Sequence, residues 1–352
     1  MFHILVINPG STSSEISLFR DETEWRNAKI IHPVEELRKY ATIMDQFPYR
    51  SAVIKTILAE WDIAPGGLAA VIGRSALRDR KTGVYEVTPE MIEDVKAGRM
   101  RVEHAAILGC LLAGEIADVY GARALVDHIA FPAFPPLATV SGLPFIERRP
   151  AYHVQNIQAV ARVAARDMKK NLDEVNFIIA HLEGGMSIAA LEGGRLMDAT
   201  NALDEGPFTT ERSGNLPGVA LVDLCFSGKY TKGQVLKMIR GEGGMVAYLG
   251  TNKIGEVEAM VNEGNPNARF YLEAMCYQAA KDMGAMATVL KGKVDAVILT
   301  GKILASPTAV ALIKGRIGFI APVKAYPEEE SLSFARSALR ILGGEEDPAP
   351  YR

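Results

Sequence analysis

The sequence predicts an α/β protein of two similar domains, each built on a mixed sheet, and three observations lead there. The chain has 352 residues, about twice the usual domain length. Short aliphatic runs of the kind found in buried strands alternate with stretches of helical spacing. One motif, a strand, a polar Gly-containing turn and a returning strand, stands at the start of both halves. In the first half Ile4 to Ile7 are consecutive aliphatics that stop at Asn8-Pro9-Gly10-Ser11-Thr12-Ser13, and Glu15 to Phe19 returns with period-two alternation. In the second, Phe177 to Ala180 runs into His181-Leu182-Glu183-Gly184-Gly185 and Ser187 to Leu191 returns, an offset of 173 residues from Ile4 to Phe177. Arg195 to Ala199 adds a strand after the Glu192-Gly193-Gly194 turn. Two unrelated hairpins would share this pattern, so the pattern alone leaves chance similarity open.

The segments between and after the hairpins follow in order. Ala69 to Gly73 is an apolar strand; Glu90 to Lys96 and Val102 to Ala117 carry helical spacing; Ala124 to Val126 is a short strand entering Asp127-His128. Pro132, Pro135 and Pro136 forbid regular structure and mark a loop toward a domain boundary near residues 142–150. A helix is predicted over Ile157 to Leu172, then Val219 to Phe226, Lys232 to Ile239, Ile254 to Glu263 and Ala268 to Leu290. Ala296 to Leu299 is a buried strand ending at Thr300-Gly301, and Ser331 to Leu342 is the last helix.

Composition narrows the function. Hydrophobic residues make up 48% and charged residues 23%, which argues against disorder. With 39 Lys and Arg against 42 Asp and Glu, the net charge of −3 gives no electrostatic case for nucleic acid. Any anion site is therefore local. Cys110, Cys225 and Cys276 lie far apart with no CxxC spacing, which suits a reducing compartment such as the cytoplasm and disfavours a zinc ribbon. No apolar run approaches the ~18 residues of a membrane span, and Met1 to Gly10 lacks the basic start of a signal peptide. Neither GxGxxG nor GxxxxGK[ST] occurs, and no GxSxG, HExxH or paired-cysteine site is present.

What remains is a set of polar residues at strand ends, where α/β proteins place ligands: Asn8 and Ser11, Arg74, Asp127 and His181. Any one of them also reads as a cap or turn former; as a group they point to a site. Polar glycine turns present backbone N–H groups to phosphate, and two facing turns would clasp a nucleotide. Phosphoryl transfer needs cations that hold oxygens and spread charge, and Arg74 and Arg212 are the candidates because arginine forks onto phosphate and carboxylate. Arg212 sits in Gly206 to Gly214, a stretch too rich in Gly and Pro for a helix.

Longer motifs carry a family resemblance. Ile-Asn-Pro-Gly-Ser-Thr-Ser (7–13), Glu-Arg-Ser-Gly (211–214), Leu-Cys-Phe-Ser-Gly-Lys-Tyr-Thr (224–231), Val-Ala-Tyr-Leu-Gly-Thr-Asn (246–252), Val-Leu-Lys-Gly-Lys-Val-Asp (289–295) and Phe-Ile-Ala-Pro-Val (319–323) resemble the acetokinase family, and within it the butyrate-phosphorylating members, over roughly residues 2–346. The resemblance implies the actin, hexokinase and heat-shock-chaperone fold: two duplicated ribonuclease-H-like domains with mixed sheets around a central cleft. Residues 1–148 with 331–352 would form the first domain and 149–330 the second, nucleotide-binding one. It implies a homodimer or higher homo-oligomer, and Mg2+-dependent, reversible phosphate transfer between ATP or ADP and butanoate or a related short-chain carboxylate.

Site roles follow from the same resemblance. Arg74 and Arg212 match the arginines that hold carboxylate and phosphate, Asp127 the acid after its strand, and His153 the histidine that contacts the transferring phosphoryl group. Asn8, Ser11, Ser13, His181, Gly184, Gly185 and Gly301 match nucleotide-contacting positions; Asn8 and Glu330, with Glu329 beside it, match those linked to Mg2+. Glu15 stands where the family carries Lys, Ser75-Ala76 and Gly301-Lys302 replace Gly-Gly pairs, and Glu183 replaces glycine. The stretch Asp204-Glu205-Gly206 runs one residue short, and His128 to Pro132 lacks the familiar Pro-Val-Val-Val-Asp. A like-charge pair at ~4 Å costs about 1 kcal/mol in water and ~4 near a protein surface, so carboxylates at phosphate turns raise a second reading. That reading is a non-catalytic ligand-binding relative that has lost or changed its phosphoryl donor.

Overall fold

The structure, a computed structural model, describes the chain except residues 11–12, 76, 78–81, 100–104, 129–132, 328–329 and 352, and it describes 34 and 330 by backbone alone. It forms two compact units, Met1–Ala130 with Glu330–Arg352, and Phe131–Glu329. Residues 133–148 therefore fall within the second unit.

The first unit opens with β1 (His3–Pro9), β2 (Ser13–Arg20) and β3 (Thr23–Ile31), an antiparallel meander. After α1 (Val34–Leu37) and α2 (Phe47–Glu60), β4 (Ala70–Ser75) joins β1 in parallel. Next come β5 (Gly83–Glu86), α3 (Pro89–Lys96), α4 (Leu108–Tyr120) and β6 (Arg123–His128), giving the sheet order β3-β2-β1-β4-β6-β5. The second unit begins with α5 (Pro136–Thr139) and α6 (Val154–Asp167), then β7 (Asn176–Leu182), β8 (Met186–Glu192) and β9 (Arg195–Ala199). Five helices follow: α7 (Gly218–Phe226), α8 (Lys232–Ile239), α9 (Gly244–Leu249), α10 (Ile254–Asn262) and α11 (Pro266–Val289). β10 (Ala296–Thr300), α12 (Pro307–Ile317) and β11 (Val323–Tyr326) complete a sheet of order β11-β10-β7-β8-β9, and α13 (Glu330–Leu342) belongs to the first unit.

The duplication goes beyond the hairpins. Strands β3-β2-β1-β4-β6 and β9-β8-β7-β10-β11 run in the same order with the same directions, and β1 and β7 begin and end 173 residues apart. Chance similarity of two turns has no reason to extend to the parallel strands β4 and β10. Both sheets are covered on both faces, which is why their central strands read as unbroken aliphatic runs. In the first, Leu5, Ile7, Ile16 and Val71 pack with Ile54 and Leu58 of α2 and Ile116 of α4. Its other face, through Ile4, Val6, Ile72 and Leu125, packs on Phe334, Ala338 and Ile341 of α13. In the second, Ile178, Ala180, Ile188 and Leu299 meet Leu272 and Met275 of α11 and Ile313 of α12, while α6 lies against β7.

Several local expectations change. Pro136 does not forbid regular structure but opens the short helix α5, since proline is tolerated in the first helical turn. Strand β3 carries Glu24, Trp25, Arg26 and Asn27, all exposed, so it lacks an apolar signature. It is an edge strand held by its ladder to β2 and by the Arg20 guanidinium, 3.4 Å from the Trp25 ring centre. Helix α6 ends at Asp167 rather than Leu172, because Lys169 takes a left-handed φ of 55° and the Lys170 N–H donates to Ala165 O at 3.0 Å, a Schellman-type stop. Among the described residues no helix is long and apolar enough to cross a membrane, and all three cysteines are unpaired.

Candidate active site

In the first unit the parallel strands β1, β4 and β6 deliver Asn8, Arg74 and Asp127 to one edge of the sheet. Ile7 pairs with Gly73 and Arg74 with Asp127 in the strand register. Side chains two apart share a face, so these three extend the row of Val6, Ile72 and Leu125, the face packed on α13. Glu330 opens α13, and Ser75 ends β4 buried at 3% exposure. Ser13 begins β2; Ser11, Ala76 and Glu329 lie outside the described residues. Glu15 pairs across the ladder with Asn8, and its carboxylate accepts from Asn27 Nδ2 at 3.3 Å.

A residue that sequence reasoning missed supports the turn after β1. Arg50 of α2 is fully buried, and its Nη1 donates to Gly10 O at 2.9 Å, Ser13 O at 3.2 Å and Ser14 Oγ at 3.0 Å. Its Nε and Nη2 donate to Gln46 Oε1 at 3.1 and 2.9 Å. Burial holds the Arg50 pKa below the ordinary arginine value. With Ser14 Oγ accepting from Arg50, the Ser14 hydroxyl donates to His32 Nε2 at 2.9 Å, while His32 Nδ1 faces the Tyr49 hydroxyl at 3.2 Å. Burial first, then the Arg50 charge, lowers the His32 pKa to about 4 and keeps the ring neutral. The available signal was a cation on the apolar side of α2, in line with Ile54 and Leu58.

In the second unit the penultimate residue of β7 is His181, buried at 1% exposure, whose Nδ1 donates to Asn156 Oδ1 of α6 at 2.9 Å. His153, immediately before α6, lies with its ring 4.2 Å from that of His181 at 32°. Its Nδ1 is 2.9 Å from Ser187 Oγ, which also accepts the His153 backbone N–H at 3.2 Å. Two histidines distant in sequence thus meet over the start of β8. Glu183 opens the turn with its carboxylate 3.8 Å from His181 Nε2.

Arg212 closes on the same turn. A Cβ on Gly185 would come within 2.6 Å of the Arg212 Cζ, so only the bare backbone lets the guanidinium lie there. Thr209 clamps the contact: its hydroxyl donates to Gly184 O at 2.6 Å and accepts the Arg212 N–H at 3.0 Å. Arg212 Nη1 donates to Ala202 O. Burial holds the Arg212 pKa below its ordinary value, with Glu211 opposing. Gly301, at φ 97°, lies against the backbone of Leu182, where a Cβ would approach the carbonyl oxygen to 2.5 Å, and Lys302 follows it. The acidic stretch beside Arg212 is engaged elsewhere, Asp204 with Arg240 and Glu205 with Arg148 at 3.0 Å. Beyond Arg212 a cavity of about 470 Å3 is lined by Phe208, Leu221, Leu224, Tyr248 and Tyr271, and by none of the sequence-predicted site residues. Among the described residues no three His, Cys, Asp or Glu side chains gather into a metal-binding cluster.

The signature of the acetokinase family matches residues 143–312. Over 355 aligned residues the chain is 41% identical to butyrate kinase 2 of Clostridium acetobutylicum, covering 100% of this chain and 99% of that one. It is 40% identical to a probable butyrate kinase 2 of Caldanaerobacter subterraneus subsp. tengcongensis, covering all of both. Among solved structures, the acetate kinase of Porphyromonas gingivalis superposes with a TM-score of 0.76 at 18% identity over 97% of this chain and 100% of that one. A propionate kinase of Francisella tularensis gives 0.70 at 17% identity over 96% and 99%. The last two are similar in fold.

Proposed function

The chain belongs to the acetokinase family, and from that premise we propose that it is a carboxylate kinase acting reversibly on butanoate or a related short-chain acid with ATP. A carboxylate oxygen forms the new bond to the γ-phosphorus as the bond to the β–γ bridging oxygen breaks, and ADP leaves with that electron pair. The acid is ionised at neutral pH and needs no base, so the work is to bring two anions together. Arg74 and Arg212 hold the carboxylate and the transferring phosphoryl oxygens, Asp127 orients the Arg74 edge, and His153 donates a hydrogen bond as charge builds. The polyphosphate contacts are assigned to Asn8, Ser11 and Ser13 of the first unit and to His181 and the backbones of Gly184, Gly185 and Gly301 of the second.

Oxygen donors suit a hard divalent cation: the Asn8 amide and Asp127 carboxylate share one sheet edge, and Glu330 opens the helix on that face. Mg2+, held by Asn8 and Glu330, supplies positive charge beside the polyphosphate when bound. The observation that carries the reading is the guanidinium of Arg212 lying on the bare backbone of Gly185, in the turn that also delivers His181 to His153. A non-catalytic relative gains no support, since full-length relatives at 40 and 41% identity are named as kinases.

A second copy of the chain is the natural cover for α7. This helix buries none of its residues, and Val219 and Phe226 are 78% and 87% exposed. Three unpaired cysteines suit the cytoplasm. The test is acyl-hydroxamate formation from butanoate, Mg-ATP and hydroxylamine. Product is expected with butanoate; no product with any C2 to C5 acid, from protein that still binds Mg-ATP, overturns the reading.

A further inference from the structure

Ser187 is the second residue of β8 and stands opposite His181 in the ladder, yet its hydroxyl serves the other histidine. It is fully buried, so its proton needs an acceptor within the protein. One lone pair of Oγ is taken by the His153 backbone N–H at 3.2 Å, and that group cannot accept. The other neighbour is His153 Nδ1 at 2.9 Å. If Nδ1 carried a proton, Oγ would accept twice and its own proton would be stranded in the interior, the penalised state of an unsatisfied buried donor. The hydroxyl therefore donates to Nδ1, and the neutral ring carries its proton on Nε2. His181 is set the opposite way: its Nδ1 faces Asn156 Oδ1, an acceptor, so the proton sits on Nδ1 and the lone pair on Nε2. Two rings only 4.2 Å apart thus differ in polarity, one a donor and one an acceptor at Nε2.

We propose that Ser187 is a positioning residue that fixes the tautomer and ring plane of His153, so that an Nε2–H rather than a lone pair meets the transferring phosphoryl oxygens. The proposal rests on the kinase reading above for what His153 touches. Phosphoryl oxygens accept hydrogen bonds and donate none, so the tautomer decides whether His153 attracts or repels them. At the equivalent ladder position in the first unit Glu15, not a serine, stands opposite Asn8.

The test uses the full-length protein. In histidine-15N NMR, wild type should show His153 as the Nε2–H tautomer, and Ser187→Ala should convert it to a mixture or to Nδ1–H. In kinetics, Ser187→Ala should lower kcat by about 10- to 100-fold with KM for butanoate and Mg-ATP within about threefold, and Ser187→Thr should recover most of the loss. His153→Gln, whose amide nitrogen occupies the Nε2 position, should exceed His153→Asn by about tenfold, and this pair leaves Ser187 intact should its variants melt early. An unchanged tautomer in Ser187→Ala overturns the proposal, as does unchanged kcat in that variant while His153→Ala is crippled. If wild type forms no acyl phosphate at all, the kinase reading fails, while the NMR result still decides what Ser187 does to His153.

Discussion

The turns after β1 and β7 occupy equivalent places in the duplicated sheets, and each is built around an arginine used in the opposite sense. Beneath the first turn, Arg50 is sealed in the core with its guanidinium on the carbonyls of Gly10 and Ser13. On the second, Arg212 lies over Gly185, anchored by Thr209 and Ala202. The strand ends diverge in the same way. By register Asn8, Arg74 and Asp127 correspond to His181, Thr300 and Tyr326. Tyr326 is tied back to the end of α6 through Asp167 at 2.8 Å. Strand interiors are constrained by packing on both faces and stay alike; the residues that follow the aliphatic runs differ in chemistry even where, as at His181 and Thr300, they stay buried. The first half places its charges on the sheet edge, whereas the second places them in the turn and the loop that covers it.

Removing each arginine should break the comparison in different observables. Arg212→Ala should lower kcat/KM by about 10³-fold, since one cation on a transferring phosphoryl group is worth that much, while the melting temperature moves only a few degrees. Arg50→Met should do the reverse. It leaves the carbonyls of Gly10 and Ser13 and the Gln46 amide oxygen without their donor, a loss of ~3 kcal/mol and a melting midpoint lower by about 10 °C. Calorimetric melts beside hydroxamate kinetics distinguish the two. An Arg50→Met protein as stable as wild type would mean that the first turn stands without its support.

This contrast also explains which features were legible in the sequence. Strands β1, β4, β6, β7 and β10 were readable because burial on both faces writes continuous aliphatic runs. The polar residues that end them, Asn8, Arg74, Asp127 and His181, stood out for the same reason. Strand β3 was not readable: an exposed edge is fixed by its partner and by Arg20 on Trp25, neither of which leaves a periodic trace. Arg50 was hidden because its acceptors lie 37 and 40 residues away on the turn. Ser187 looked like any polar residue of a strand, since its partner His153 precedes it by 34 residues. Contacts between segments of this kind decide the site, and no local pattern encodes them.

A methyl group is a finer probe of the two turns. Gly185→Ala places carbon where the Arg212 guanidinium lies, and a flexible side-chain end moves more readily than backbone. The variant should therefore stay folded while kcat/KM drops by about 10- to 100-fold, because the cation is displaced from its position. Gly10→Ala meets only Ser13 O at 3.3 Å and Ser13 Oγ at 3.4 Å, and should remain within about threefold of wild type. Equal losses in both variants, measured by steady-state kinetics, would show that the turns are not braced differently after all.

The smallest effect expected is a pH dependence confined to the first unit. His32 has a pKa of about 4 when folded, against an ordinary value of 6.5, because it is buried and sits beside Arg50. Between those values the unfolded chain takes up a proton that the folded chain refuses, so this contribution to stability is complete above pH 6.5 and is lost as pH falls toward 4. Between pH 7 and pH 5 the loss amounts to ~2 kcal/mol, about 1.5 units of titration below the ordinary value. Urea midpoints at pH 7 and pH 5 should therefore differ more in wild type than in His32→Gln, which cannot titrate. If both proteins lose the same stability on acidification, the acid sensitivity lies elsewhere. Refusal of a proton by the buried His32 ring is then not what ties the first unit's stability to pH.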